Sequence, residues 1–90
     1  MKTPKKYMIE RTLPTGHKVY YGGLAINQMS NRVTPMFYEK DEREAFRYEY
    51  ISEAMGKLQM LKDNFGFLNI ELKLIELPEN EWISDEEEKA

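Results

Sequence analysis

Between residues 53 and 76 a helical period gives way to a strand period at a single glycine, and that junction limits the folds open to the chain. Ala54, Leu58, Leu61 and Phe65 recur at spacings of three and four, which makes one apolar stripe on a helix over 53–65. Met55 lies at its flank, and Lys57, Gln59, Lys62 and Asp63 supply solvated positions. Gly56 inside the helix costs about 1 kcal/mol against alanine, which a close approach to a sheet would explain. Gly66 follows Asn64-Phe65 and suits the left-handed position just past a helix end, with Phe67 folding back on Leu61. Leu68, Ile70, Leu72 and Leu74 then alternate with Asn69, Glu71 and Lys73, the pattern of a strand with one buried face. Ile75 and Leu77 extend that strand, and Pro78 stops it.

Such a helix and strand need other strands to pack against, and the N-terminal half supplies them. Residues 7–12 alternate as an extended segment, Leu13-Pro14-Thr15-Gly16 carries turn chemistry, and Lys18-Val19-Tyr20-Tyr21 is β-branched and aromatic. The expectation is a β-hairpin, with Gly22-Gly23 ending its second strand or making a bulge in it. Residues 25–32 read as a polar loop, and 33–38 as a short strand that Pro35 confines to a sheet edge.

Residues 45–51 fit two patterns. Phe46, Tyr48 and Tyr50 alternate with Arg47 and Glu49 as in a strand, yet Phe46, Tyr50 and Ala54 also suit one helix from about 41 to 65. Aromatic β-propensity, and Ser52 as a natural N-cap, favour a strand followed by a helix. The expected fold is therefore α+β. It has an antiparallel sheet of four to five strands and one amphipathic helix packed on one face, in the order β-hairpin, β, β, α, β. Residues 1–78 make the single domain and 79–90 an acidic C-terminal tail, with Trp82 as the staple that ties the tail to the sheet.

At 90 residues there is room for one domain and not for two independent cores, and 41% hydrophobic with 12% aromatic residues is too apolar for a disordered chain. There is no cysteine, which excludes disulfides, a thiolate nucleophile and cysteine-held metals, and fits a reducing, cytoplasmic setting. The start MKTPKKYMIE lacks the apolar run of a signal peptide, and no apolar run is long enough for a membrane span. Net charge is −3 but polarised: five basic residues against Glu10 over 1–18, and seven acidic against Lys89 over 76–90.

No nucleotide-binding motif occurs, and Gly22-Gly23 has no Lys-Ser/Thr behind it. His17, the one histidine, sits beside a turn with no nucleophile in view. Asp41, Glu42 and Glu44 read as a solvated run rather than a paired-carboxylate or metal site. The chain is thus expected to be no enzyme and to need no cofactor or metal. Nucleic-acid binding has Lys2, Lys5, Lys6, Arg11 and Lys18 near Tyr7, Tyr20 and Tyr21 in its favour, and a pI near 5.2 against it. What remains is a protein partner, docking on an open second sheet face or an exposed edge, with a homodimer as a further arrangement. Tyr20, Phe37, Tyr38, Arg47 and Trp82 are the candidate contacts, because aromatic and arginine side chains dominate interface hot spots.

Ala45-Phe46-Arg47-Tyr48, Ser52-Glu53-Ala54, the amphipathic helix, Gly66 and Asn69-Ile70-Glu71-Leu72 together resemble a known pattern. It is that of small uncharacterised phage and mobile-element proteins of Gram-positive bacteria. The resemblance covers roughly residues 34–76 and carries over no ligand or catalytic residue. It implies a setting in which a small protein binds and modulates a host protein, with a nucleic-acid-associated accessory role as the alternative.

Overall fold

The computed structural model describes residues 4–82, apart from the side chain of Phe67. Four antiparallel strands form one sheet: β1 (Tyr7–Thr12), β2 (Lys18–Asn27), β3 (Arg32–Tyr38) and β4 (Glu71–Glu76), in the spatial order β3-β2-β1-β4. One helix, α1 (Ile51–Phe65), packs across a face of it. The expected α+β class and single helix are what the chain adopts.

Pro14 and Gly16 close the β1–β2 turn, where Gly16 takes a φ of 93° and its N–H donates to the Leu13 carbonyl at 2.8 Å. β1 pairs along its whole length with β4, from Tyr7 opposite Glu76 to Thr12 opposite Glu71. Its pairing with β2 covers only Glu10–Thr12 against Lys18–Tyr20. Beyond that point a bulge between Tyr21 and Leu24, at Gly22-Gly23, turns β2 away. β1 then takes a different neighbour. Tyr48 exchanges backbone bonds with Tyr7 (2.9 and 3.1 Å), and the Phe46 N–H donates to the Tyr21 carbonyl at 2.9 Å.

Of residues 45–51, Ile51 already belongs to α1, and 45–50 are neither a full strand nor part of a long helix. They are an irregular wedge with one bridge, at Tyr48, seated where β1 and β2 part. Strand propensity was outweighed by the shortness of the gap, which leaves room for a single pair.

Alternation splits the apolar residues into two cores. Ile9, Tyr21, Tyr48, Ala54, Leu61 and Phe65 meet under α1, with Phe37, Leu58, Leu72 and Leu74 against them. Met8, Tyr20, Ala45 and Leu77 meet on the opposite face, with Tyr38, Ile75 and Trp82 against them. The second face expected to be open is thus covered at its centre, by residues from the loop after β3 and from the chain after β4. Trp82 does act as a staple: its indole N–H donates to the Leu77 carbonyl at 2.7 Å, after a 3₁₀ turn over Glu79–Glu81. The rest of the acidic tail lies outside the described residues.

Several local expectations are corrected. β2 runs on to Asn27, so only residues 28–31 of the expected 25–32 loop form the turn into β3. Asn27 Oδ1 accepts the N–H groups of Met29 and Ser30 there, and Asn31 takes a φ of 57°. Ser52 is not the cap of α1, which starts at Ile51 with Tyr50 extended before it and no side-chain cap. Gly66 is right-handed (φ −58°) and opens a 3₁₀ turn through Leu68; the left-handed cap falls to Asn69 (φ 54°), whose N–H donates to the Gly66 carbonyl. That turn takes Leu68 and Ile70 out of β4, and Leu68 is exposed. The expected Phe67 contact with Leu61 lies outside the described residues. Gly56 makes no close approach to the sheet, since a Cβ there would meet nothing within 4 Å.

Candidate functional site

The bulge and wedge shape the surface. A Cβ on Gly22 would run into the Glu44 carbonyl oxygen and the Tyr38 ring, so the loop after β3 lies directly on this backbone. Gly23 (φ 113°) faces the Phe46 ring. Phe46 packs edge-on against Tyr21 (5.6 Å between centroids) and Tyr48 (6.4 Å), while Tyr21 meets Phe37 in the same manner (6.2 Å). This aromatic row holds the wedge in place. The wedge in turn leaves the rest of β2, with its partner β3, to project as a two-stranded arm.

The arm's apolar residues have no complete cover. Leu24 pairs with Pro35 and Ile26 with Val33, on the side of the sheet that also carries Phe37 and α1. Leu24 is 47% exposed, Ile26 64%, Val33 42% and Met29, in the turn, 98%. Where the arm passes α1 it leaves an open groove of about 710 Å³. Leu24, Arg32 and Val33 line it from the arm, and Met60, Phe65 and Leu68 from the end of the helix and the turn after it. Arg32 is exposed, and its side chain makes no hydrogen bond or ion pair among the described residues.

The residues singled out from sequence as contacts do not converge here. Tyr20, Tyr38 and Trp82 pack in the second core, and Phe37 packs in the first. Arg47 is half-buried and donates to the Lys40 carbonyl at 3.2 Å. Tyr20 and Tyr21, considered as stacking platforms for bases, are 5% and 3% exposed. The basic residues beside them are engaged within the fold. The Arg11 guanidinium lies 5.0 Å from the Phe37 ring, Lys6 Nζ lies 4.8 Å from the Trp82 ring, and Lys18 donates to Thr12 Oγ1 at 2.9 Å. The groove residues were missed although a signal existed. From Val19 to Tyr38 the chain holds one charged residue, Arg32, whereas charged residues make up 32% of the whole.

Three tyrosines are raised above the ordinary phenol value, and burial is the first cause in each. Burial, then the Glu10 carboxylate that accepts its hydroxyl at 3.2 Å, pushes Tyr20 up to about 12. Burial also raises Tyr21, and raises Tyr48 still further, with Tyr21 and Glu53 adding to the effect. The Tyr48 hydroxyl is enclosed without a hydrogen-bond partner among the described residues. His17 Nε2 lies 2.6 Å from Glu39 Oε1, an exposed pair that joins the first turn to the end of β3. Among the described residues there is no group of three or more metal-ligating side chains, and no helix long and apolar enough to cross a membrane.

No family model, curated protein or solved structure matches the chain.

Proposed function

We propose that the protein is a non-enzymatic interaction module whose docking surface is the projecting arm and the groove between it and α1. One observation carries this reading. Leu24, Ile26, Met29 and Val33 stand exposed together on a nearly uncharged segment, next to a groove lined by Met60, Phe65 and Leu68. Contiguous exposed apolar surface of this kind is costly in water and marks a binding site more often than a solvated face. The sequence resemblance of residues 34–76 adds a setting, the modulation of a host protein by a small phage or mobile-element protein. A cytoplasmic location goes with that setting.

The test compares partner capture by the intact protein with capture by an Ile26→Asp/Val33→Asp variant and by Met55→Asp on the exposed back of α1. Species lost with the arm variant and retained by Met55→Asp are expected. Equal retention by all three proteins would reject the arm as the docking surface.

A further inference from the structure

The groove carries charge information as well as apolar surface. Among the described residues its only charged lining residue is Arg32, and no carboxylate lines it. On α1, Lys57 lies one turn ahead of Met60 and two ahead of Asn64, so helical spacing places it on the stripe that faces the groove. Lys57 is exposed and, like Arg32, makes no ion pair among the described residues. Of the two carboxylates on α1, Asp63 accepts a bond from the Gln59 amide at 2.8 Å, and Glu53, one turn ahead of Lys57, lines a different hollow beside Phe46 and Tyr50. Two cations without an ion pair among the described residues therefore flank an apolar trough, in a protein whose net charge is −3.

From this juxtaposition we infer that the groove receives an acidic, amphipathic segment of a partner protein. Its bulky apolar side chains fill the space between Leu24, Val33, Met60 and Phe65, and its carboxylates pair with Arg32 and Lys57. A volume of about 710 Å³ takes a few such side chains. The exposed Ile26 and Met29 continue the apolar surface past the groove, which favours a polypeptide over a small molecule that would leave them bare. The inference rests on the docking role proposed above and adds the chemistry of the occupant.

A phage-displayed library of random linear peptides, panned on the whole protein, tests it. Enriched peptides are expected to combine Leu, Ile, Phe or Trp with Asp or Glu. A synthetic copy of one should bind more weakly as salt rises and lose at least about tenfold in affinity with Arg32→Glu/Lys57→Glu. Panning on that charge-reversed protein should enrich Lys and Arg instead. Circular dichroism confirms that each variant is folded.

Enrichment of neutral or basic peptides, no enrichment, or affinity unmoved by charge reversal would overturn the acidic occupant. The docking role would survive these results if Leu24→Asp/Val33→Asp still abolished partner capture. Binding indifferent to Leu24→Asp/Val33→Asp would overturn the docking role itself. Peptides that bind only after deletion of residues 83–90 would make the chain its own occupant. A dimer in light scattering that Val33→Asp dissociates would assign the groove to a second copy. Either result would overturn the partner assignment.

Discussion

At the scale of single residues, the closest tolerances lie at the bulge. Gly22 has the Glu44 carbonyl and the Tyr38 ring where a side chain would begin, and one of those obstacles is backbone. Gly22→Ala is therefore expected to cost about 3 kcal/mol, the upper end of overpacking penalties, and to lower Tm by more than about 10 °C on calorimetry. A loss under about 1 kcal/mol would mean that the loop after β3 does not lie on this strand. Tyr20 makes a second residue-scale prediction. Its pKa is raised, by burial and by Glu10, from 10.0 to about 12 in the folded protein. The hydroxyl thus contributes stability that is fully present below the unfolded value and is lost as pH climbs from about 10 to 12. Thermal midpoints across that window should fall for the wild type, and the fall should be shallower for Tyr20→Phe. Equal slopes would show that this hydroxyl gains nothing from folding.

At the scale of elements, what alternation and spacing reveal depends on what each element packs against. The helical stripe of Ala54, Leu61 and Phe65 is buried as its spacing requires, because one continuous face of α1 rests on the sheet. The end of that helix was less legible. Gly66 accepts either handedness, and the choice of Asn69 for the left-handed turn depends on where β4 must begin opposite Thr12. The wedge at 45–48 was illegible for a similar reason: its form answers a gap that exists only once β2 has turned away. The second strand of the arm was read as the edge strand it is, but residues 25–27 of the first were read as loop, because Asn27, Gln28, Ser30 and Asn31 are turn formers and outweighed Ile26 among them. The five candidate contacts are dispersed between the two cores and the Lys40 carbonyl for a different cause. Aromatic residues were chosen by type, and in a small domain large aromatics are needed inside.

Two element-scale predictions follow from these placements. Gly56 faces open space on α1, so Gly56→Ala should stabilise by about 0.5–1 kcal/mol through helix propensity, read from chemical denaturation. Destabilisation would place a neighbour over that face. The arm, by contrast, owes the core little. Ile26→Asp should change stability by no more than about 0.5 kcal/mol, since the residue is 64% exposed. A larger loss in denaturant titration would mean that the arm is structural and not a spare binding surface.

At the scale of the whole molecule, the sheet is a partition between two small cores, and neither is large enough to be independent. The described chain measures 43 × 27 × 25 Å, elongated for its length. The core under α1 is closed by the helix lying on β1, β2 and β4, whereas the opposite core depends on chain that arrives late, at Leu77 and Trp82. Met8 in that second core and Ile9 in the first are adjacent on β1, so loss of one core loosens the strand that both share. The two faces should therefore melt together. Trp82 is the only tryptophan, and it sits on the face away from α1, so its fluorescence reports the second core while far-UV circular dichroism at 222 nm is weighted to the helix. Coincident transitions by the two probes are the expected result. Trp82→Ala removes the indole bond to Leu77 and the packing around it, at a cost of about 2 kcal/mol for a half-buried side chain. It should lower the helix transition, on the far side of the sheet, by a matching amount. A fluorescence change that precedes loss of helix, or a Trp82→Ala protein with an unshifted helix transition, would make the C-terminal staple a separate unit and leave the second face free to open.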